Sequence, residues 1–214
     1  MAAETARRAA AFLYLASQSP RRAELLRTLG VPVEPLLPGA HEDAEALEAF
    51  RPGEAPADYV ARVAHAKLEA ARNRRAARGL PDAPILAADT IVAVGGTLLA
   101  KPRDAAEACA MLAQLSGRTH RVLTAVAVAH GVGRGCPATA RAITVSRVRF
   151  ARLSARAIER YVTTGEPMDK AGAYAIQGGA AAFVRGIQGS YTGIVGLPLY
   201  ETAGLLRRVG FALT

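Results

Sequence analysis

The sequence predicts an α/β protein, and three observations carry that reading. Apolar segments of strand length alternate along the chain with capped segments of helical period. The run Ile85-Leu86-Ala87-Ala88-Asp89-Thr90-Ile91-Val92 is apolar and partly β-branched, as a buried strand requires. No internal repeat or low-complexity tract argues for a solenoid or a disordered chain. At 214 residues and 51% hydrophobic composition, the chain can bury roughly 70% of its unfolded surface.

Residues 12–16 read as a first strand that turns into a helix over 21–29. Ser19 stands where a helix cap belongs, Pro20 is pre-set for the first helical position, and Gly30 closes the helix. A second strand is expected at 33–37, followed by an acidic, Pro/Gly-punctuated stretch at 38–56 that reads as a mobile loop. A long helix follows over 58–78, apolar at Val60, Val63, Ala64 and Leu68, and ends at Gly79. Residues 85–94 form a strand, which Gly95-Gly96 turns into a hairpin with 97–100. Asp104 and Glu107 have capping-box spacing, opening a helix that runs to Leu115 and stops at Gly117. Residues 119–130 and 139–150 are two long strands joined by a glycine-rich loop, and Ser154 caps a helix to Thr163. Residues 165–197 read as irregular and glycine-rich, and Pro198 opens a last helix.

Net charge is +9, with Arg far outnumbering Lys, a balance suited to a polyanionic ligand. Aromatic content of 5% and the lack of a concentrated basic tail argue against a nucleic-acid-binding module. Cys109 and Cys136 lack metal spacing and fit a reducing compartment, so a cytoplasmic protein is expected. No apolar run approaches the roughly 20 residues that span a bilayer, so no membrane partner is expected. Arg7 and Arg8 precede an apolar run too short for an export signal, and residues 1–10 read as a flexible extension. His41, His65, His120 and His130 show no ligand spacing. Gly131-Val132-Gly133-Arg134-Gly135 lacks the glycine a dinucleotide loop needs at its sixth position.

Several segments bear on chemistry. Ser17-Gln18-Ser19-Pro20-Arg21-Arg22 gathers hydroxyls and two guanidiniums at a helix start, where backbone N–H groups and the helix dipole favour a phosphate. Asp89-Thr90 interrupts an apolar strand. A carboxylate is costly to bury alone, so Asp89 must pair, bind a metal or line a cleft. Lys67 lies one turn beyond Val63, near the apolar stripe of its helix, where it either snorkels or reaches a site. Lys101-Pro102-Arg103-Asp104 brings a cation close to the hairpin. In the run from Asp169 to Gly179, Lys170 and Gln177 flank turns that let backbone approach a ligand. Gly189-Ser190-Tyr191 and Gly196-Leu197-Pro198 are candidates to finish a pocket wall.

Taken in order, these motifs resemble the Maf family of nucleoside triphosphate pyrophosphatases, from Leu13 to about Leu206. The matching stretches are Leu15 to Arg22, Ala88-Asp89-Thr90, Lys101 to Asp104, Leu115-Ser116-Gly117, Glu166 to Tyr174 and Val195 to Pro198. The resemblance implies a mixed, bent central sheet with flanking helices forming two lobes around a deep nucleotide cleft, of the Maf/ITPase-like kind. Residues 11–214 would then be one catalytic domain. It further implies hydrolysis of a nucleoside triphosphate to the monophosphate and pyrophosphate with a divalent cation, Mg²⁺ or Mn²⁺, in a protein that pairs into a homodimer.

On this resemblance Asp89 is the proton acceptor. Ser17, Ser19, Arg22, Lys67, Lys101 and Lys170 bind the phosphates. Arg21, Thr90 and Gln177 fall on the positions that mark base preference, and they match the dTTP/UTP branch. The branch acting on 7-methyl-GTP carries Trp, Gln and Glu there. The family's paired acids after the second strand align here with His41 and Glu42. Either Glu42 or Asp43 serves after a one-residue shift, or His41 changes the metal preference, and Glu42 is taken as a metal ligand beside Asp89. A carboxylate beside Mg²⁺ and several cations is expected to have its pKa pulled down, which keeps Asp89 ionised. A catalytically weak nucleotide sensor is the competing reading.

Overall fold

The structure is a computed structural model and describes residues 12–44, 46–129, 139–211 and 213. The expected extension at 1–10, His130, the loop of 131–135 and Cys136 lie outside the described residues.

One sheet organises these residues. Its strands are β1 (Leu13–Leu15), β2 (Val33–Pro35), β3 (Ile85–Val94), β4 (Thr97–Leu99), β5 (Thr119–Ala129), β6 (Thr139–Phe150) and β7 (Val184–Gln188). The order is β2-β1-β3-β5-β6-β7, with β4 pairing β3. β1 runs parallel to β2 and β3, and the remaining pairs are antiparallel, so the sheet is mixed as expected. The helices are α1 (Pro20–Thr28), α2 (Pro56–Ala77), α3 (Ala105–Leu115), α4 (Ala155–Val162), α5 (Tyr191–Val195) and α6 (Leu199–Arg208).

Strand β3 explains where a site can form. β5 follows one edge of it from Ile85↔Ala129 to Ala93↔Arg121. The other edge is divided: β1 takes Ile85 and Leu86, while β4 takes Val92 to Val94. Between them residues 87–91 meet no strand on that edge among the described residues, and Asp89 and Thr90 stand in this gap. Adjacent residues of a strand point to opposite faces. Ala87 and Ile91 pack under α2 with Leu68, Val60 and Val63, so Asp89 faces α2. Ala88 packs with Leu26 of α1 and Leu206 of α6, and Val92 with Leu112 of α3, so Thr90 faces the opposite side.

Local chemistry sets most helix ends. Asp104 accepts the Glu107 N–H at 2.8 Å, and the Glu107 carboxylate reaches back to the Arg103 N–H at 2.7 Å. Ser154 accepts from the Ala157 N–H, and Ser190 from the Gly193 N–H. Ser19 does occupy the cap position of α1, but its side chain makes no capping bond, and its N–H donates to Ser17 Oγ instead. Two expectations are corrected. Residues 165–197 hold three 3₁₀ turns, β7 and α5, because an exposed edge strand containing Gly186 and a five-residue helix leave little periodicity to read. The stretch 38–56, read as a mobile loop, contains a 3₁₀ turn at Ala46–Glu48 that α2 side chains tie down. Among the described residues, no helix is long and apolar enough to cross a membrane.

His120 sits in the core with its Nε2 2.9 Å from Tyr174 Oη, edge-on to Phe150. Burial lowers its pKa from 6.5 to about 4. The folded protein therefore keeps the ring neutral, whereas the unfolded chain gains a proton below 6.5. Stability on this account is complete above that pH and declines by up to about 3 kcal/mol as the pH falls toward 4. Denaturant midpoints at pH 7 and pH 5 should show His120→Gln losing less stability than wild type between the two, by about 2 kcal/mol.

Candidate active site

A cavity of about 1050 Å³ opens at the gap in β3, and the residues expected to act in catalysis, phosphate binding, base preference and metal binding (Asp89, Ser17, Ser19, Arg21, Arg22, Lys67, Thr90, Lys101, Lys170, Gln177 and Glu42) all line it. Its walls come from the start of α1, the 38–48 loop, α2, β3, the 100–103 segment, the 169–177 segment and the end of α5. Gly196 reaches the cavity, but the Gly189-Ser190-Tyr191 segment does not line it.

On the α2 side, Asp89 is only 7% exposed and its Oδ1 lies 2.6 Å from Lys67 Nζ. Lys67 therefore reaches a site rather than snorkelling. A second carboxylate, Glu48, meets the same ammonium at 2.6 Å. Burial is the largest influence on Asp89 and raises its pKa; Lys67 and Arg22 oppose that rise, and Glu48 adds to it. The net shift is upward. Among the protein's own groups, removing a carboxylate from water outweighs the attraction of the neighbouring cations. Glu48 is shifted down, its own burial opposed by Lys67, Lys101 and Arg22.

On the other face, Arg22 joins three segments. Its Nε donates to the Gly196 carbonyl at 2.9 Å, Nη1 to Ser17 Oγ at 3.0 Å and Nη2 to Thr90 Oγ1 at 3.3 Å. Thr124, directly across the strand pair from Thr90, donates its only hydroxyl proton to the Gly193 carbonyl at 2.7 Å. The 2.9 Å contact between the two hydroxyls must then be a bond from Thr90 to Thr124. Burial lowers the Arg22 pKa, and Asp89 and Glu48 partly restore it.

At the cavity mouth, Arg21 donates to Asp169 Oδ2 at 3.1 Å, and Lys170 pairs with Asp169 Oδ1 while donating to the Glu166 carbonyl at 2.8 Å. Gly172 fixes this segment. Its φ is +71°, its N–H donates to the Ala100 carbonyl at 3.0 Å, and an added Cβ would lie 2.8 Å from a Val92 methyl. Lys101 and Gln177 are exposed on the lining, and no hydrogen bond among the described residues holds the Gln177 amide.

Glu42 lines the cavity but is engaged elsewhere. Its carboxylate accepts from Arg74 at 2.5–3.0 Å and from the Gly39 N–H at 2.9 Å, and these bonds lower its pKa to about 2. The acid standing with Asp89 is Glu48. Sequence reading missed it because Glu48 lies in an acidic, motif-free stretch, and only the fold brings it to Lys67. Thr124 was missed as an ordinary strand residue.

Among the described residues, no three His, Cys, Asp or Glu side chains cluster as a self-sufficient metal cage. Asp89 and Glu48 meet on the Lys67 ammonium, which occupies the point where they converge; to a hard cation they can offer only their other carboxylate oxygens, with its remaining ligands drawn from phosphate and water.

The chain is 63% identical to a dTTP/UTP pyrophosphatase of Cupriavidus metallidurans over 92% of this chain and 96% of that one. It is 62% identical to one of Burkholderia pseudomallei over 92% of each chain, and 59% identical to one of Ralstonia nicotianae over 94% and 95%. A solved structure of a HAM1 protein from Coxiella burnetii aligns with a TM-score of 0.40 at 16% identity, over 67% of this chain and 75% of that one, too distant a likeness to carry an argument. Residues 12–209 match the family model described as Maf-like protein, and the chain belongs to that family.

Proposed function

We propose that this protein is a nucleoside triphosphate pyrophosphatase that hydrolyses dTTP and UTP to the monophosphate and pyrophosphate. The observation that carries the reading is the meeting of Asp89 and Glu48 on Lys67 inside a cavity also lined by Arg21, Arg22, Lys101 and Lys170. The names of relatives near 60% identity support the substrate. The family resemblance also supports a homodimer, a cytoplasmic setting and one catalytic domain of two lobes.

Cleavage between the α- and β-phosphates needs a water aimed at the α-phosphorus and a stabilised leaving group. Asp89 accepts the proton of that water on the oxygen not held by Lys67. Lys101, Lys170, Arg21 and the Ser17–Ser19 turn hold the triphosphate, with Arg21 and Lys170 exchanging Asp169 for phosphate oxygens. Asp89 and Glu48 would hold Mg²⁺ or Mn²⁺, which when bound neutralises charge developing on the phosphates. Gln177 donates its amide N–H to O4 of uracil or thymine and accepts the base N3–H. Thr90 shapes the pocket through Arg22 and Thr124, since its proton is already given away.

Pyrophosphate release measured across the common nucleotides with Mg²⁺ or Mn²⁺ tests the reading; nucleotide binding without release would identify a sensor instead. In that assay Asp89→Asn should lower kcat by roughly 100- to 10,000-fold. Glu48→Gln should lower kcat/KM and raise the metal requirement by roughly 10- to 100-fold, while Glu42→Gln stays within about threefold of wild type. Replacing Arg21, Thr90 and Gln177 together by Trp, Gln and Glu should move preference away from dTTP and UTP. An unchanged selectivity profile would refute the branch assignment.

A further inference from the structure

Glu48 sits at the end of a short 3₁₀ turn within the 38–55 loop, which no strand supports. Its backbone is nevertheless gripped at three successive carbonyls by two side chains from the first turns of α2. Arg62 Nη1 donates to the Leu47 carbonyl at 3.3 Å, Tyr59 Oη to that of Glu48 at 2.9 Å and Arg62 Nη2 to that of Ala49 at 2.9 Å. Arg62 is itself aimed by Glu54, with its Nε at 2.6 Å and Nη2 at 2.7 Å from the two carboxylate oxygens. Tyr59 is 2% exposed, stacks on Phe50 at 4.8 Å and carries the Arg62 guanidinium 5.4 Å above its ring. Arg62 does not line the cavity, and it reaches it only through what it holds, the 47–49 backbone and the Tyr59 ring, which does line it.

Lys67 stands on the same helix, about one and a half turns beyond Arg62. One rigid element therefore fixes the loop backbone, the ammonium and hence the place where Glu48 meets Asp89. We propose that Arg62 and Tyr59 are positioning residues for the Glu48 carboxylate, holding the 47–49 backbone so that it faces Lys67 and Asp89. The proposal rests on the reading that Glu48 and Asp89 act together in hydrolysis. A carbonyl grip is also what that reading needs: a metal-binding carboxylate on an untethered loop would spend most of its time in water, facing no partner.

The test uses Arg62→Gln, Tyr59→Phe, Glu48→Gln and the Glu48→Gln/Arg62→Gln double variant, assayed for UTP hydrolysis over a Mn²⁺ titration. Hydrogen exchange of the 46–50 amides is followed alongside, without nucleotide. Arg62→Gln is expected to lower kcat about 10- to 100-fold with KM for UTP within about threefold, and to raise the half-saturating Mn²⁺ about tenfold. Tyr59→Phe keeps the ring stack and removes only the hydroxyl, and should shift the same quantities several-fold. Both variants should exchange faster at 46–50 with little change in thermal midpoint. In the Glu48→Gln background, Arg62→Gln should change kcat by less than about twofold, because its partner is already lost. A full Arg62→Gln effect in that background, or unaltered kcat and Mn²⁺ dependence beside a crippled Glu48→Gln, overturns the positioning role alone. Wild-type activity in Glu48→Gln overturns the reading of the site itself.

Discussion

The ion pair between Lys67 and Asp89 is the constraint on which the rest of the site depends. A carboxylate in the middle of a central strand is largely withdrawn from water, and that burial raises its pKa. The ammonium 2.6 Å away keeps the cost tolerable without cancelling it. The residual upward shift leaves a carboxylate more basic than one in water and still close to a cation. Glu48 completes the arrangement by giving the ammonium a second anion. Such a site is poised to exchange partners when a polyanion enters.

That constraint could be met only because the sheet is divided where it is. Had one strand followed the whole edge of β3, residues 87–91 would be sealed, and Asp89 would be a buried defect. With β1 and β4 taking opposite ends of the edge, the backbone of β3 stays fixed by β5 while the middle of its edge is open to the cavity. The pleat then sends Asp89 toward α2 and Thr90 toward α5, so two neighbouring residues serve different walls. The ion pair of Asp89 and the hydrogen-bond relay of Thr90 are separated by one peptide bond and the thickness of the sheet.

Much of this was legible in the sequence, and what was not has physical reasons. The central strand, its hairpin, α3 with its capping box and the two long strands were readable because period, caps and glycines agree locally. The cavity residues were readable because Ser17–Arg22, Asp89-Thr90, Lys101 and the Lys170–Gln177 segment break their surroundings in polarity. β7 and α5 were not, since an exposed edge strand and a five-residue helix carry almost no pattern. Glu42 and Glu48 could not be told apart, because nothing in an acidic loop says which carboxylate meets an ammonium and which meets Arg74. The upward shift that the protein's own groups give Asp89 was hidden for a related reason. Counting nearby cations is possible from a sequence, but the burial that outweighs them is a property of the fold.

Arg22 shows how a residue type can point to the right place for an incomplete reason. Its guanidinium at a helix start suggests a phosphate clamp, yet its Nε, Nη1 and Nη2 are already given to Gly196, Ser17 and Thr90. Two of its five N–H groups remain for a ligand. The three partners belong to three separate sequence motifs, at the beginning, middle and end of the chain. An arginine can hold such a junction because its donors lie in one rigid plane, whereas a lysine would offer a single mobile point. The chain from Arg22 through Thr90 and Thr124 to the Gly193 carbonyl then carries that rigidity across β3 and β5 to α5. Substituting Thr90 therefore reaches beyond its own place on the cavity wall, since the same hydroxyl links the start of α1 to β5 and α5.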